Sequence, residues 1–400
     1  MKTLLVILDG LGDHEVAELD HQTPLEKANT SNFDYMVDKG VGGLLKPSYE
    51  GDFPSSAEGH WNLFGYPFSE VMGRGVFEAV GLNFKLKPND VAFRGNWATL
   101  QQGKIIDRRA GRIKNALPAL KEIRDIKIKG VDIKIRPGIE HRFALVLRGK
   151  NISGEVQGND LHKTGVEPVP IKPIDFHDKK AVHTAEVLNE FIKKVHQKLK
   201  DNKFNKRRKK KDLLPANYLL LRGAGQWHQV EPFTKKWGFK KCGYVTGGGL
   251  YKGVASAVGM EEISVPGATG NRKTNLENKF KKAIKALRKD GFDFVFLHVK
   301  ATDLYSHDGD CEGKKEYLEK IDRIAFDLRQ LNDTIITITG DHCTPCELQE
   351  HTGDAIPFLV WSSKIKGDEV EKFCEEDCVQ GEIIKQNQLI EFILNKSKNN

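Results

Sequence analysis

The sequence predicts an α/β protein: a discontinuous outer domain made from both ends of the chain, with a second α/β domain inserted between them. Three observations predict it. Short apolar, β-branched runs alternate with helix-period stretches along the whole chain, the pattern of strands joined by helical crossovers. The character changes at the polar, Pro88-containing stretch Lys85 to Asp90, and the strand-to-glycine turn Asn217 to Gly225 closes what begins there. Three strand-like runs, one at the extreme N-terminus and two beyond residue 290, end in carboxylates suited to a common ion, which requires the two ends of the chain to meet. The outer domain is then 1–86 with 226–400 and the insert is 87–225. A chain of 400 residues is also too long for one compact core.

The first of these runs is Thr334 to Ile338, closed by Gly340 and followed by Asp341, His342 and, after a short loop, His351. Ligands collect at strand ends in open α/β sheets because the loops there converge on one crevice. A carboxylate with two imidazoles is a borderline-metal donor set suited to Zn²⁺ or Mn²⁺. The second run, Phe292 to Val299, leads into Asp303-x3-His307, a spacing that puts carboxylate and imidazole on one side of a helical turn. The third, Thr3 to Leu8, ends in Asp9-Gly10. One such end reads equally as a polar turn after a buried strand or as a ligand set; three point to a metal centre.

In chain order, Glu15 to Gly40 reads as helical. The serine pair Ser55-Ser56 after Pro54 precedes a further helix, which makes it either a plain N-cap or an anion site holding a nucleophile. Within the insert, strand-like pieces at Val91 to Ala98, Gly103 to Asp107, Val131 to Arg136 and Arg142 to Arg148 accompany helical patterns at Leu117 to Ile126 and Ala181 to Lys200. Arginines gather near these strand ends, at Arg94, Arg108, Arg109, Arg112, Arg136, Arg142 and Arg148, and their planar forks suit carboxylate and phosphate. Beyond the insert, Gly247 to Gly249 is a weak phosphate-cradle candidate that fits no nucleotide fingerprint. Helices are expected at Leu276 to Leu287, Glu316 to Leu331 and Ile383 to Leu394.

Bulk properties narrow the function classes. Hydrophobic content of 39% and charged content of 30% exclude a disordered chain, and no apolar run approaches the roughly 20 residues of a membrane span. The N-terminal apolar run meets Asp9 too soon for a signal peptide, so the cytoplasm is the expected location and no membrane partner is expected. The net charge of +8 includes one uninterrupted basic run, Lys206 to Lys211, without interleaved aromatics; it reads as a solvated helix end or loop rather than a nucleic-acid site. Cys343-x2-Cys346 and Cys374-x3-Cys378 have spacings a structural zinc could use, but lack knuckle glycines and read first as reduced, buried thiols. Metal ligands on the outer domain and arginines on the insert suit a phosphorylated small-molecule substrate.

Taken in order, Leu8-Asp9-Gly10, Ser55-Ser-Ala-Glu-Gly-His60 with Phe64-Gly-Tyr66, Asp107 to Ile113, Leu221 to Gly225, Val265 to Gly270 with Thr274-Asn275, His298 to Asp303 with His307 to Asp310, and Thr339 to His342 with His351 resemble the cofactor-independent phosphoglycerate mutases of archaeal type, within the alkaline phosphatase superfamily. The resemblance implies an alkaline-phosphatase-like core and two divalent ions, Mn²⁺ foremost with Zn²⁺, Co²⁺ or Mg²⁺ as alternatives, and no 2,3-bisphosphoglycerate. One ion would be held by Asp9, Ser56, Asp341 and His342, the other by Asp303, His307 and His351. Ser56, four residues before His60 as in the family's motif, would be the nucleophile in preference to Ser55, with Lys252 and Arg222 as further catalytic cations. It would take the phosphoryl group of 3-phosphoglycerate and return it to the other hydroxyl of glycerate. Arg94, Arg109, Arg112, Arg142, Arg148 and His162 would hold the glycerate carboxylate while domain closure excludes water. The alternative is a phosphatase or another phosphomutase of the same superfamily; a nucleic-acid-binding scaffold is the reading from a different class. The oligomeric state is left open.

Overall fold

A computed structural model describes residues 2–48, 55–123 and 126–398, so Gly51 to Pro54, which lead into the serine pair, and the Arg124-Asp125 end of the first insert helix lie outside the described residues. The chain divides into two compact units, 1–71 with 230–400 and 72–229. The first division falls 15 residues before that of the sequence reading and the second four residues after it, and the first moves the Arg74–Gly81 helix from the outer domain to the insert. Glycine is the reason the helix stays there. A Cβ at Gly75 would come 2.4 Å from the Ala92 carbonyl oxygen, so only glycine lets the helix lie this close to the insert strand Val91–Gln101.

The first unit is built on an eight-stranded sheet in the order Glu261–Glu262, Cys242–Val245, Phe294–Val299, Lys2–Leu8, Thr334–Thr339, Ile356–Trp361, Val41–Lys46, Glu382–Lys385. The three strands Phe294–Val299, Lys2–Leu8 and Thr334–Thr339 are adjacent and mutually parallel. Their continuous Val, Ile, Leu, Phe and Thr sequences are buried on both faces, as central parallel strands require. Register pairs Leu8 with Val299 and Ile7 with Thr339. The residues that follow, Asp9, Lys300 and Gly340-Asp341, therefore leave the sheet at one level. This register is what assembles the site.

Some sequence expectations for this unit change. The Glu15 to Gly40 pattern is broken into a 3-10 turn at Ala17–Leu19 and helices Pro24–Lys27 and Ser31–Asp38, because a Thr23/Glu26 capping box with Pro24 restarts the chain after the left-handed residues Asp20 and His21. The helix of the Glu316 to Leu331 region begins earlier, at Cys311, where Asp310 accepts from the Gly313 amide, and ends at Ala325 before a 3-10 turn. Ile383 and Ile384 belong to a strand, Glu382–Lys385, paired in parallel with Val41–Lys46, and a 3-10 turn at Gln386–Gln388 then leads into the helix Leu389–Lys398. An exposed sheet edge recruits a β-branched pair more readily than a helix does.

The second unit is an antiparallel sheet in which Val91–Gln101 pairs with Lys104–Asp107, Arg142–Arg148 and Tyr218–Gln226, and Asp132–Pro137 adds to Arg142–Arg148. The 21-residue helix Lys179–Leu199 lays Val187, Leu188, Phe191 and Val195 on a core that includes Phe93, Trp97, Phe143, Leu145 and Leu219. The basic run falls on the Lys203–Lys209 helix and the turn after it. One of its members is structural: Arg208 donates to the carbonyls of Leu214 (2.8 Å) and Ala110 (3.0 Å).

Candidate active site

Asp9, Asp303 and Asp341 are buried at the carboxyl ends of the three central strands, Asp303 on the Ala301–His307 helix that follows Phe294–Val299. His342 is also fully buried, and His307 and His351 approach from the more exposed side, with their Nε2 atoms 3.2 Å apart. The donor atoms form two overlapping triads, Asp9–Asp341–His342 and Asp303–His342–His351, in each of which all atoms lie within 4.8 Å of one another. His342 belongs to both, and His307 Nε2 lies 3.4 Å from Asp303 Oδ1. All seven residues named from the sequence as metal ligands are thus in one cluster, although the structure divides them differently, through the shared His342.

Ser56 opens the helix Ser56–Leu63, with Ser55 as the N-cap residue, whose amide donates to Glu58 (2.6 Å). The two serines are thereby separated in role. Ser55 faces the cap, while the buried Ser56 Oγ lies 3.3 Å from His342 Nε2. The hydroxyl sits at the positive end of a helix, where an anion is stabilised.

These residues fit divalent ions. Carboxylates and imidazoles are the donors such ions take. Asp341 Oδ2 is buried and faces the ring nitrogens of His60 (3.2 Å) and His342 (3.3 Å) without a well-formed hydrogen bond, a costly arrangement for a carboxylate oxygen unless a further cation faces it. Its other oxygen accepts from the Gly10 amide at 3.1 Å, which fixes the direction of Oδ2.

The electrostatics show how three buried carboxylates stay ionised together. Burial works against Asp9, but Lys300, His298 and His342 outweigh it and hold its carboxyl well below the usual range. Burial and the neighbouring Asp9 work against Asp303 too, and His351, Lys300 and His342 bring it to about 2. Lys300, which the sequence reading passed over, bridges the two carboxylates, 2.8 Å from Asp9 and in close contact with Asp303. His298 is a second omission. Burial holds it down at about 4, so it is neutral at pH 7; Nε2 lies 2.7 Å from Asp9 Oδ2, and Tyr251 stacks on its ring at 3.7 Å. The signal available in the sequence was a histidine inside an otherwise wholly apolar strand.

A third omission supports the loop after Asp9 from below. Lys314, fully buried on the Cys311–Ala325 helix, donates to the carbonyls of Gly10 (2.8 Å) and Gly12 (3.3 Å) and to Asp13 Oδ2 (2.7 Å). Cys346 Sγ reaches the same Asp13 oxygen at 3.1 Å. All six cysteines are free and buried; Cys343 and Cys346 point to different partners, so they do not form a paired knuckle.

The second unit carries a pocket of about 330 Å³ lined by Arg94, Asn96, Arg108, Arg109, Arg112, Glu140, His141, Arg142, His162 and Arg222. Its walls are tied together by hydrogen bonds. Asp107 accepts from the amides of Arg109 (2.6 Å) and Gly111 (3.1 Å), closing a tight turn in which Ala110, Gly111 and Arg112 all have positive φ. Asp160 grips Arg108 through two 2.8 Å bonds, and Arg222 contacts His162. Burial and the neighbouring guanidinium groups push Arg94 down to about 9 and His141 to about 4. Crowded cations with neutral histidines make an anion site.

Two residues named from the sequence lie elsewhere. Arg148 is not among the residues lining this pocket; it binds the buried Asp90 with both Nε (2.9 Å) and Nη2 (2.5 Å). Lys252, on the Gly249–Ala257 helix, is in close contact with Glu262.

The profile of the Metalloenzyme superfamily matches residues 1–395. Curated 2,3-bisphosphoglycerate-independent phosphoglycerate mutases are similar over nearly the whole chain: that of Methanococcus aeolicus is 40% identical, covering 98% of this chain and 97% of its own, and that of Pyrococcus horikoshii 41%, covering 95% and 92%. The solved cofactor-independent phosphoglycerate mutase of Thermoplasma acidophilum superposes with a TM-score of 0.73 at 30% identity, covering 99% of this chain and all of that one. A solved Pyrococcus horikoshii protein gives 0.84 at 32%, covering 100% and 98%. With the candidate metal cluster at its strand ends, the chain belongs to the 2,3-bisphosphoglycerate-independent phosphoglycerate mutase family of the metalloenzyme superfamily.

Proposed function

We propose that this chain interconverts 3-phosphoglycerate and 2-phosphoglycerate through a phosphoserine at Ser56, with Mn²⁺ as the working metal and the cytoplasm as the location. The observation that carries the reading is the placement of Ser56: a buried hydroxyl at a helix N-terminus, 3.3 Å from His342, which both triads share. Asp9, Ser56, Asp341 and His342 would hold one ion and Asp303, His307 and His351 the other, His342 lying within reach of both. Two divalent ions, when bound, lower the pKa of the serine hydroxyl and neutralise the oxygens of the transferring phosphoryl group.

The chain's own residues do the rest. Ser56 Oγ attacks phosphorus as the bond to the C3 oxygen breaks, and glycerate leaves with a proton on that oxygen. Lys300 keeps Asp9 and Asp303 ionised throughout, so the proton that Ser56 loses ends on the departing C3 oxygen rather than on either carboxylate. Arg94, Arg109, Arg112, Arg142, Arg222 and His162 hold the glycerate carboxylate. The C2 hydroxyl then reverses the step on phosphoserine. Lys252, released from Glu262, would supply positive charge to the phosphoryl oxygens.

A coupled assay of 3-phosphoglycerate conversion without 2,3-bisphosphoglycerate tests this. Turnover should need Mn²⁺, vanish in EDTA and fall by about 10⁶-fold in Ser56→Ala, the scale of losing a covalent nucleophile. Release of inorganic phosphate without isomerisation would make the chain a phosphatase.

A further inference from the structure

We propose a third cation site, separate from the two triads, made by His14, Cys343 and Asp354. Their donor atoms lie within 4.8 Å of one another, and His14 Nε2 is 2.8 Å from Asp354 Oδ2. Donors around one tetrahedral zinc, at about 2.0–2.3 Å from the metal, stand roughly 3.5 Å apart, so small side-chain movements close the shell. Imidazole, thiolate and carboxylate together favour Zn²⁺ or Co²⁺ over Mg²⁺ or Ca²⁺.

The backbone builds this arrangement. Gly12 pairs with Cys343 in a parallel bridge, and Cys343 pairs with Thr352 in an antiparallel one. The Thr344 amide donates to Gly12 (2.9 Å) and the Thr352 amide to Cys343 (3.0 Å). His14 and Asp354 each lie two residues beyond a bridge position, on either side of Cys343. Gly12 also makes room for the sulfur, since a Cβ there would sit 3.2 Å from Cys343 Sγ. Cys343 is buried while His14 and Asp354 are exposed, so an ion enters from solvent and seats against the thiol. His14 also borders a hollow of about 770 Å³ whose walls include Glu15, Glu26, Glu347 and Glu376, a local negative field on a chain of net charge +8.

An ion here joins three segments, those carrying Asp9, His342 and His351, and so braces the catalytic loops without touching substrate. The site does not depend on which reaction the chain performs.

The test is an anaerobic Co²⁺ titration of the full chain, read by thiolate-to-cobalt charge-transfer absorption in the near ultraviolet. The seven residues of the two triads and their neighbours Ser56 and His307 contain no sulfur, so the band reports the thiolate site alone. It should saturate at one Co²⁺ per chain, disappear in Cys343→Ser and persist in Cys346→Ser and Asp303→Asn. The exposed variants His14→Ala and Asp354→Asn, which leave the core intact, should weaken the Co²⁺ affinity of the band at least about tenfold. Absence of the band at saturating Co²⁺, its survival in Cys343→Ser, or unchanged affinity in both exposed variants overturns the proposal. Because no substrate is present, a band without mutase turnover removes only the mutase reading, and turnover without a band removes only this site.

Discussion

Lys314→Met tests whether the loop after Asp9 is held from below. Lys314 Nζ is fully buried and has three partners, the carbonyls of Gly10 and Gly12 and the carboxylate of Asp13. Methionine keeps most of the volume but leaves Asp13, itself buried, without its cation. Removing one partner of a buried ion pair costs about 3–5 kcal/mol. At roughly 2–4 °C per kcal/mol for a unit of this size, the melting temperature should fall by about 6–20 °C. The Gly10 amide aims Asp341, so loosening the loop should also weaken Mn²⁺ binding, by about 10–100-fold if Lys314 acts as a supporting group of the ligand shell. Circular-dichroism melts and Mn²⁺ titration of the same samples read both effects. Burial lowers the Lys314 pKa, but Asp13 and the nearby thiols outweigh it and the net shift is upward from 10.5. A raised basic pKa stabilises fully below the unfolded value and is lost as pH rises through the folded one, so the wild-type advantage should be constant from pH 7 to 9 and shrink only above about pH 10.5. The Asp13→Asn variant should be less than additive with Lys314→Met, since each removes the same pair. A melting temperature within 2 °C of wild type with unchanged Mn²⁺ affinity would refute the supporting role.

Three further outcomes are expected. Arg109→Ala, which leaves the Asp107-closed turn in place, should raise KM for 3-phosphoglycerate by about 10–150-fold, the value of a hydrogen bond to a charged group, in steady-state kinetics. Glu375 is pushed up to about 7, by burial first, so its folded pKa exceeds the unfolded 4.5 and stability should decline by up to about 3 kcal/mol as pH rises from 4.5 to 7; urea denaturation across that range should show the slope in wild type and lose it in Glu375→Gln. Gly225→Ala would place a Cβ 1.7 Å from the Met72 carbonyl oxygen, and should destabilise the second unit by at least about 1–3 kcal/mol in denaturant melts.

Why the clustered carboxylates and histidines were legible and their supports were not has a physical cause. Asp9, Asp303 and Asp341 follow runs so apolar that a carboxylate at the end stands out, and parallel register brings such ends to one level. Lys300 stands directly after one of these runs, but a lysine in that place reads as an ordinary solvated chain end. Lys314 gave no signal at all, because in a charged, amphipathic helix nothing local distinguishes the one lysine that turns inward. The arginine pocket shows the limit of composition. Arg142 and Arg148 occupy the two ends of one seven-residue strand, on the same face by the two-residue period but about 20 Å apart. One reaches the pocket and the other pairs with Asp90. Clustering in sequence could not separate them; position along a strand could. The Glu15 to Gly40 segment failed for the opposite reason: its apolar spacing was helical, yet Pro24 and a capping box divide it, and caps outrank periodicity where they recur within a few turns.

Charge balance links the cluster to the kind of group it is proposed to transfer. Three buried carboxylates and one half-buried lysine leave the cluster two negative charges in excess when its histidines are neutral. Burying that excess is costly, and Asp341 Oδ2, which faces only imidazole nitrogens at 3.2–3.3 Å without a well-formed hydrogen bond, shows where the cost is concentrated. Two divalent cations overshoot it to two positive charges, and a phosphoryl dianion brings the sum to zero. Phosphoserine carries that same dianion, so on the proposed route the balance holds before, during and after transfer, and the low-dielectric site need not reorganise at either step. Glycerate's carboxylate has no place in this balance. It needs a cationic site of its own, and the pocket containing Arg94, Arg109, Arg112, Arg142 and Arg222 has a surplus of guanidinium groups for it. A hydrolase would have no use for such a surplus once phosphate had left. The division of positive charge into a metal-ligating cluster on one unit and an arginine pocket on the other is therefore the feature that favours mutase chemistry over hydrolysis.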